Sequence, residues 1–223
     1  MSPTRSRTTN NSIPIQEIFT SIQGEGKYVG LPSLFIRTSG CNLNCPFCDT
    51  DHTSARRMIS EPALMKIITK LLNGTKIKHI VITGGEPMIN LPNDRLIKLL
   101  MDRGMTVQIE TNGTCIPSWL EHLHIYTSPN LWITCSPKLG MNSSILRIAD
   151  EFKILVDHER IHFPIALHST LSSLAATRRV NFQPITTSDK RTTQRNLRAA
   201  ITAAENHPHT YVSVQLHKLL NLR

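Results

Sequence analysis

Residues 33–50 read SLFIRTSGCNLNCPFCDT. A short apolar run, SLFIRTS, leads straight into a loop that holds Cys41, Cys45 and Cys48, and no further cysteine follows until Cys115. A structural zinc site wants four ligands, typically as two close pairs, and a ferredoxin-type cluster wants four cysteines. Three thiolates at Cys-x3-Cys-x2-Cys spacing point instead to an iron–sulfur cluster with one iron left open for a ligand that is not protein. Zinc completed by His52, or three unrelated thiols, are the alternatives that the loop alone leaves open. Gly40 and Pro46 suit a backbone that wraps closely around such a group.

Apolar runs continue on both sides of the loop and alternate with helical patterns. Strands are expected at 15–22, 33–39, 79–83, 106–111, 131–136, 151–156, 180–185 and 211–216. A helix is expected over 60–73, with Ser60 as N-cap, Pro62 in the first turn and Asn73-Gly74 as the stop. The same logic places helices over 92–104, ended by Gly104, and over 190–205. Strands that alternate with helices pair in parallel through crossovers. Several of these strands read as unbroken apolar runs, the pattern of a sheet covered on both faces. The fold class is therefore α/β, an open or partial β/α barrel with mostly parallel strands. Functional groups in such folds gather at the carboxyl ends of the strands.

The bulk numbers set the remaining bounds. The 223 residues are 39% hydrophobic, 18% charged and 5% aromatic, an ordinary globular balance. No apolar run approaches the roughly 18 residues of a membrane span. Residues 1–14, MSPTRSRTTNNSIP, lack an apolar core and so are not a secretory signal; they are expected to be a polar, disordered leader to a single domain over 15–223. Five cysteines, an odd number, fit metal or redox work in a reducing cytoplasm better than disulfide stapling. Cys115 and Cys135 read as packing residues. The net charge of +9 is scattered over Arg56-Arg57, Lys76, Lys78, Arg178-Arg179 and 189–198. Without a long basic block or an aromatic-interleaved stripe it reads as a solvated surface, and no membrane or direct nucleic-acid partner is expected.

The cysteine spacing, taken with Gly84-Gly85-Glu86-Pro87 behind the run HIVIT, resembles the radical S-adenosylmethionine (SAM) superfamily. The flanks are more particular. EIFTSIQGEGKYVGLPSLFIRTSGCNLNCPFCDT, then VITGGEP, IETNGT, CSPK, EFKILVD, NFQP and SVQLHKLLNLR in that order, resemble the 7-carboxy-7-deazaguanine synthase family from about residue 15 onward. Residues 1–14 lie outside the likeness, and 157–180 and 187–196 match it poorly. The resemblance implies a truncated radical SAM barrel that binds a 4Fe-4S cluster and SAM, with Mg2+ assisting. The open iron would hold the amino and carboxylate groups of SAM. Reductive cleavage would yield a 5′-deoxyadenosyl radical that takes hydrogen from 6-carboxy-5,6,7,8-tetrahydropterin. Ring contraction and loss of ammonia would then give 7-carboxy-7-deazaguanine, a carbon–nitrogen lyase step of queuosine and deazapurine biosynthesis. A homodimer and an external electron donor such as flavodoxin or ferredoxin are implied as well. An activase that installs a glycyl radical on a protein is the alternative, against which QGEG, ETNG and CSPK count.

The same resemblance implies roles at single positions. Cys41, Cys45 and Cys48 are the cluster ligands, and Thr50 a magnesium ligand. Phe47 and Asp49 lie on the adenine side of SAM. Gly85, the segment Ser136, Pro137 and Lys138, and the segment Gln183, Pro184, Ile185 and Thr186 contact SAM. Glycine suits close backbone approach to the SAM amino group. Ile22, Gln23 and Gly24 form a substrate-binding turn, and Glu25 reaches the guanidine-like edge of the pterin. Arg37 forks onto the substrate carboxylate, and Thr83 is a further substrate contact. His217 and Lys218 are expected at the end of the last strand, with His217 facing substrate. The α-carboxylate of Arg223 is a candidate ligand. Glu110, Thr111 and Asn112 form a polar group at a strand end, and Lys153 is a secondary candidate.

Overall fold

β4 (His79–Gly84) buries apolar side chains on both faces, with Ile80, Val81 and Ile82 fully buried. Its neighbours alternate instead. In β5 (Thr106–Thr111), β6 (Leu131–Cys135), β7 (Glu151–Val156) and β9 (Arg179–Pro184), one face carries Val107, Ile109, Ile133, Phe152, Ile154, Val180 and Phe182 into the core. The other carries Gln108, Thr134, Glu151, Lys153, Asn181 and Gln183, which are buried as well. The expectation of strands apolar on both faces therefore fails for most of the sheet. Its inner face is polar because it encloses a functional interior rather than a packed one.

The computed structural model describes residues 11–51, 56–120, 128–162 and 170–223. The described strands form one sheet in the order β10 (Thr210–Val212), β9, β7, β6, β5, β4, β2 (Pro32–Thr38), β1 (Ser12–Ile22), β3 (Arg57–Ser60), with β8 (Ile161–His162) paired to β7. Along that order every pairing from β10 to β2 is parallel, whereas β1 runs antiparallel to β2 and β3, and β8 to β7. The end strands do not pair with each other, so this is a partial α/β barrel. Helices with both ends among the described residues are α1 (Glu61–Leu72), α2 (Pro87–Asn90), α3 (Arg95–Met101), α4 (Ile145–Ile148), α5 (Leu171–Thr177), α6 (Lys190–Glu205) and α7 (Leu216–Leu219). Leu64 and Ile68 of α1 and Leu96, Ile97 and Leu100 of α3 pack into the apolar side of the sheet. Among the described residues no helix is long and apolar enough to cross a membrane.

The gap between the sheet's two ends is bridged by the turn after β1. Gly24 O accepts from Leu216 N at 2.9 Å, and Gly26 N donates to Ser213 Oγ at 3.0 Å. Lys27 N donates to Glu151 Oε1 at 2.9 Å. Gly26 has φ +67°, and a Cβ there would stand 2.5 Å from the same carboxylate, so the turn needs glycine at this point.

Two boundaries differ from expectation. β1 begins at Ser12, inside the expected leader, because Ile13 is fully buried and Ser12–Ile15 pair with β3. The last strand stops at Val212 rather than running to 216, and His217 and Lys218 lie in α7. The cause is Pro184. Phe182 O still accepts from Ser213 N, but two residues on, the same side of β9 presents a proline with no N–H to donate. At the start of α1, Ser60 has extended dihedrals but makes no side-chain cap bond. Residues 1–10 and His52 lie outside the described residues.

Candidate active site

At the carboxyl edge of the parallel strands a cleft of about 330 Å³ opens, within the size range of small-molecule sites. Every residue expected at the site lines it except Pro137, which is buried between Ser136 and Lys138, both of which do. One wall is the cysteine loop and the other is the β1 turn with the inner faces of β5 and β7.

The cysteine loop is held by main-chain contacts. Gly85 N donates to Thr38 O at 3.0 Å and Glu86 N to Gly40 O at 2.9 Å, so the pairing of β2 with β4 continues into the two loops. A Cβ on Gly85 would stand 1.9 Å from Gly40 O. The glycine is thus required by the cysteine loop itself, beyond any contact with SAM. Glu86, fully buried, accepts from Met88 N (2.9 Å), Thr111 Oγ1 (2.7 Å) and Asn112 N (2.7 Å). Burial raises its pKa, and these three donors hold the carboxylate in place as a bracket between GGEP and ETNG.

Cys48 N donates to Cys45 O at 3.0 Å, which curls the loop so that all three thiols line the cleft. Leu43 N (3.4 Å) and Asn112 Nδ2 (3.8 Å) donate toward Cys41 Sγ, the kind of contact that tunes a cluster thiolate. Among the described residues no three His, Cys, Asp or Glu side chains converge on one point where a single ion would sit. A cubane instead offers each thiolate its own iron. The donor set and the glycine-lined approach fit such a cluster. Cys135 is fully buried and its thiol is held protonated by burial, while Cys115 packs half-buried against the core.

Across the cleft Lys153 Nζ bonds Glu25 Oε2 and also Glu110 Oε2 at 3.2 Å. Burial opposes charge on Lys153 and on Glu25, but Glu110 and Glu25 outweigh it at Lys153 and raise its pKa. Lys153 in turn lowers that of Glu25. Gln23 Nε2 donates to Gln108 Oε1 (2.8 Å) and Glu110 Oε1 (3.0 Å). Gln215 Nε2 donates to Glu25 Oε1 at 2.8 Å. Asp49 pairs with Lys218, which lowers its pKa against the effect of burial. His217 lies against Gly24, where any Cβ would be 1.9 Å from Nδ1. Burial lowers the pKa of His217, which favours the neutral ring.

At the mouth, Arg37 Nε donates to Glu17 Oε1 at 2.7 Å and Arg37 Nη1 to Thr50 Oγ1 at 3.1 Å, so fork and hydroxyl stand side by side. Phe19 and Phe35 stack beside them with ring centroids 5.1 Å apart. The Arg223 guanidinium pairs with Glu17, and Arg223 O accepts from Ser21 Oγ at 2.7 Å.

The profile of the Radical SAM superfamily matches residues 35–149. The 7-carboxy-7-deazaguanine synthase of Bacteroides thetaiotaomicron is 34% identical over 210 residues, covering 94% of this chain and 98% of its own. That of Escherichia coli K12 is 35% identical with the same coverages. This chain belongs to the 7-carboxy-7-deazaguanine synthase family of radical SAM enzymes. The crystal structure of QueE from Escherichia coli superposes with a TM-score of 0.68 at 29% identity, over 95% of this chain and all of that one. These relatives favour the ring-contracting enzyme over the activase.

Membership in the radical SAM superfamily brings a 4Fe-4S cluster and SAM as cofactors, and the cysteine loop is built to receive them. Sequence reasoning gave no role to Glu86, Gln108 or Gln215 and ranked Lys153 second. The signal for part of this set was present: Gln108 and Glu110 on one strand and Glu151 and Lys153 on another are polar at period two.

Proposed function

We propose that the chain converts 6-carboxy-5,6,7,8-tetrahydropterin to 7-carboxy-7-deazaguanine with loss of ammonia, in queuosine or related deazapurine biosynthesis. Its setting is the cytoplasm, its working form a homodimer, and residues 12–223 act as one catalytic domain. The observation that carries this reading is the meeting, in one cleft, of the three-cysteine loop with the Gln23–Glu25 turn, Arg37 and Glu110. A 4Fe-4S cluster bound at Cys41, Cys45 and Cys48 would supply, once reduced by a flavodoxin- or ferredoxin-type donor, the electron for reductive cleavage of SAM.

The chain's residues bind and orient. Cys41, Cys45 and Cys48 hold the cluster. Gly85, Ser136, Lys138 and Gln183–Thr186 form the SAM side, with Pro137 fixing the path of its segment and Phe47 and Asp49 facing the adenine. Glu25 and Glu110 accept from the N–H groups of the pterin's guanidine-like edge, a match of acceptors to donors. Ile22, Gln23, Gly24 and Thr83 shape the floor of that subsite. Arg37 takes the substrate carboxylate in a bidentate grip. Thr50, beside it, offers a hydroxyl oxygen to Mg2+, a hard cation that prefers oxygen. Neutral His217 can give or take a hydrogen bond at the ring, and the Arg223 main-chain end lies at the same mouth.

The test is anaerobic reconstitution with iron and sulfide, then incubation with reductant, SAM, Mg2+ and the carboxytetrahydropterin. Mass spectrometry should find 7-carboxy-7-deazaguanine from the parent protein and none from Cys45→Ala. Product from Cys45→Ala, or a parent protein that forms no 5′-deoxyadenosine, would refute the reading.

A further inference from the structure

Lys153 is 8% exposed at its side chain and stands between Glu25 (11%) and Glu110 (20%), far from any bulk counter-ion. An ammonium is taken so far out of water only where partners compensate it. Each carboxylate spends one oxygen on Lys153. The other accepts from a glutamine, Gln215 for Glu25 and Gln23 for Glu110. A carboxylate has about four acceptor positions, so both retain lone pairs for a ligand in the cleft they line.

We infer that Lys153 is a positioning residue, which keeps Glu25 and Glu110 side by side and ionised as a paired acceptor for a cyclic acylguanidine, the N–H edge of a 2-amino-4-oxopyrimidine ring. The inference rests on the proposed function and deepens it. Lys153 itself touches no reacting atom; it acts through the two carboxylates. Its ammonium opposes the burial that would otherwise favour proton uptake by Glu25, and its own proton is secured by Glu110 and Glu25. Among the described residues, the other charged or titratable groups around the pair are His217 and Lys218 from α7, Asp49 from the cysteine loop, the Cys135 thiol on β6 and Lys138 beyond it. With the ammonium gone, buried Glu25 would take up a proton beside the Glu110 carboxylate, and one acceptor would become a donor facing a donor.

The experiment measures KM for the carboxytetrahydropterin from pH 6 to 8.5 in cluster-loaded Lys153→Met and Lys153→Arg, with iron and sulfide content checked first. The parent and Lys153→Arg should show flat profiles within a few fold of each other. Lys153→Met should show KM raised about 30-fold at pH 6, recovering several-fold by pH 8.5 as Glu25 ionises. KM within three-fold of the parent throughout, or equal, pH-independent losses in both variants, would overturn the positioning role. If Lys153→Met fails to fold, Glu25→Gln is compared with Glu25→Gln/Lys153→Met. The double variant should gain the acid-side rise in KM, and identical profiles would overturn the inference. A parent protein that cleaves SAM yet does not turn over the pterin would sink the substrate assignment as well, a failure that no Lys153 variant can mimic.

Discussion

Gly85→Ala tests whether the GGEP and cysteine loops work as one unit. An added Cβ would lie 1.9 Å from Gly40 O and 2.4 Å from Gly40 C, and both are main-chain atoms that no rotamer can move aside. Cβ contacts under 3.0 Å are essentially never seen, so the segments must part by about 1.1 Å, from 1.9 to 3.0 Å. That parting strains the bonds Gly85 N–Thr38 O and Glu86 N–Gly40 O, at 3.0 and 2.9 Å. At about 1 kcal/mol net for each bond, the variant should lose roughly 2 kcal/mol of stability and still fold. Catalysis should suffer more, because a displacement of about 1 Å between reacting partners costs on the order of 100-fold. The assay is 5′-deoxyadenosine formation under dithionite, normalised to iron and sulfide bound. Near-parental cluster content with a rate down about 100-fold is expected. A rate within three-fold of the parent would show that the two loops need no such contact.

Thr50→Val keeps the shape but removes the hydroxyl that meets Arg37; product formation should fall at least about ten-fold and lose its response to added Mg2+. A magnesium titration unchanged from the parent would count against Thr50 as a ligand. Phe152→Ala empties a fully buried site and should cost about 3–5 kcal/mol by urea unfolding, whereas a loss under about 1 kcal/mol would mean that the core refills. His79 bonds Ser33 Oγ at 2.7 Å, and burial brings its pKa down to about 4. The unfolded imidazole takes its proton near 6.5, so His79's contribution is full above that pH and is lost as pH falls toward 4. His79→Gln should flatten the fall of Tm over that range, and an unaltered slope would place the acid sensitivity elsewhere.

The cysteine loop was legible because its chemistry is local: three ligands within eight residues, with the strand that carries them just upstream. β5 and β7 were legible to the residue, since each is bounded by polar or turn residues. Their polar inner faces were seen only at Glu110 and Lys153, because Gln108 among valine and isoleucine looks like an interruption until the next strands supply Thr134, which it bonds, and Glu151, which Thr134 bonds in turn. β3 escaped notice because its four residues gain their partners only from Ser12–Ile15, far back in the chain. The end of the last strand was hidden for the opposite reason. YVSVQL alternates well, and the stop is imposed by Pro184 on another strand. The site's long-range bonds follow suit, as Gln215 and Glu25 are 190 positions apart and nothing near either names the other.

The unclosed ring has a further meaning. A complete cylinder is hooped by its own ladder, but here the two rims are fastened by the stretch from Gln23 to Tyr28, knotted to Ser213, Leu216 and Glu151. That fastener also lines the cleft, and under the proposed function it is the surface that would meet the pterin. Seam and specificity pocket are thus one piece of chain, and neither can be redesigned without retailoring the other.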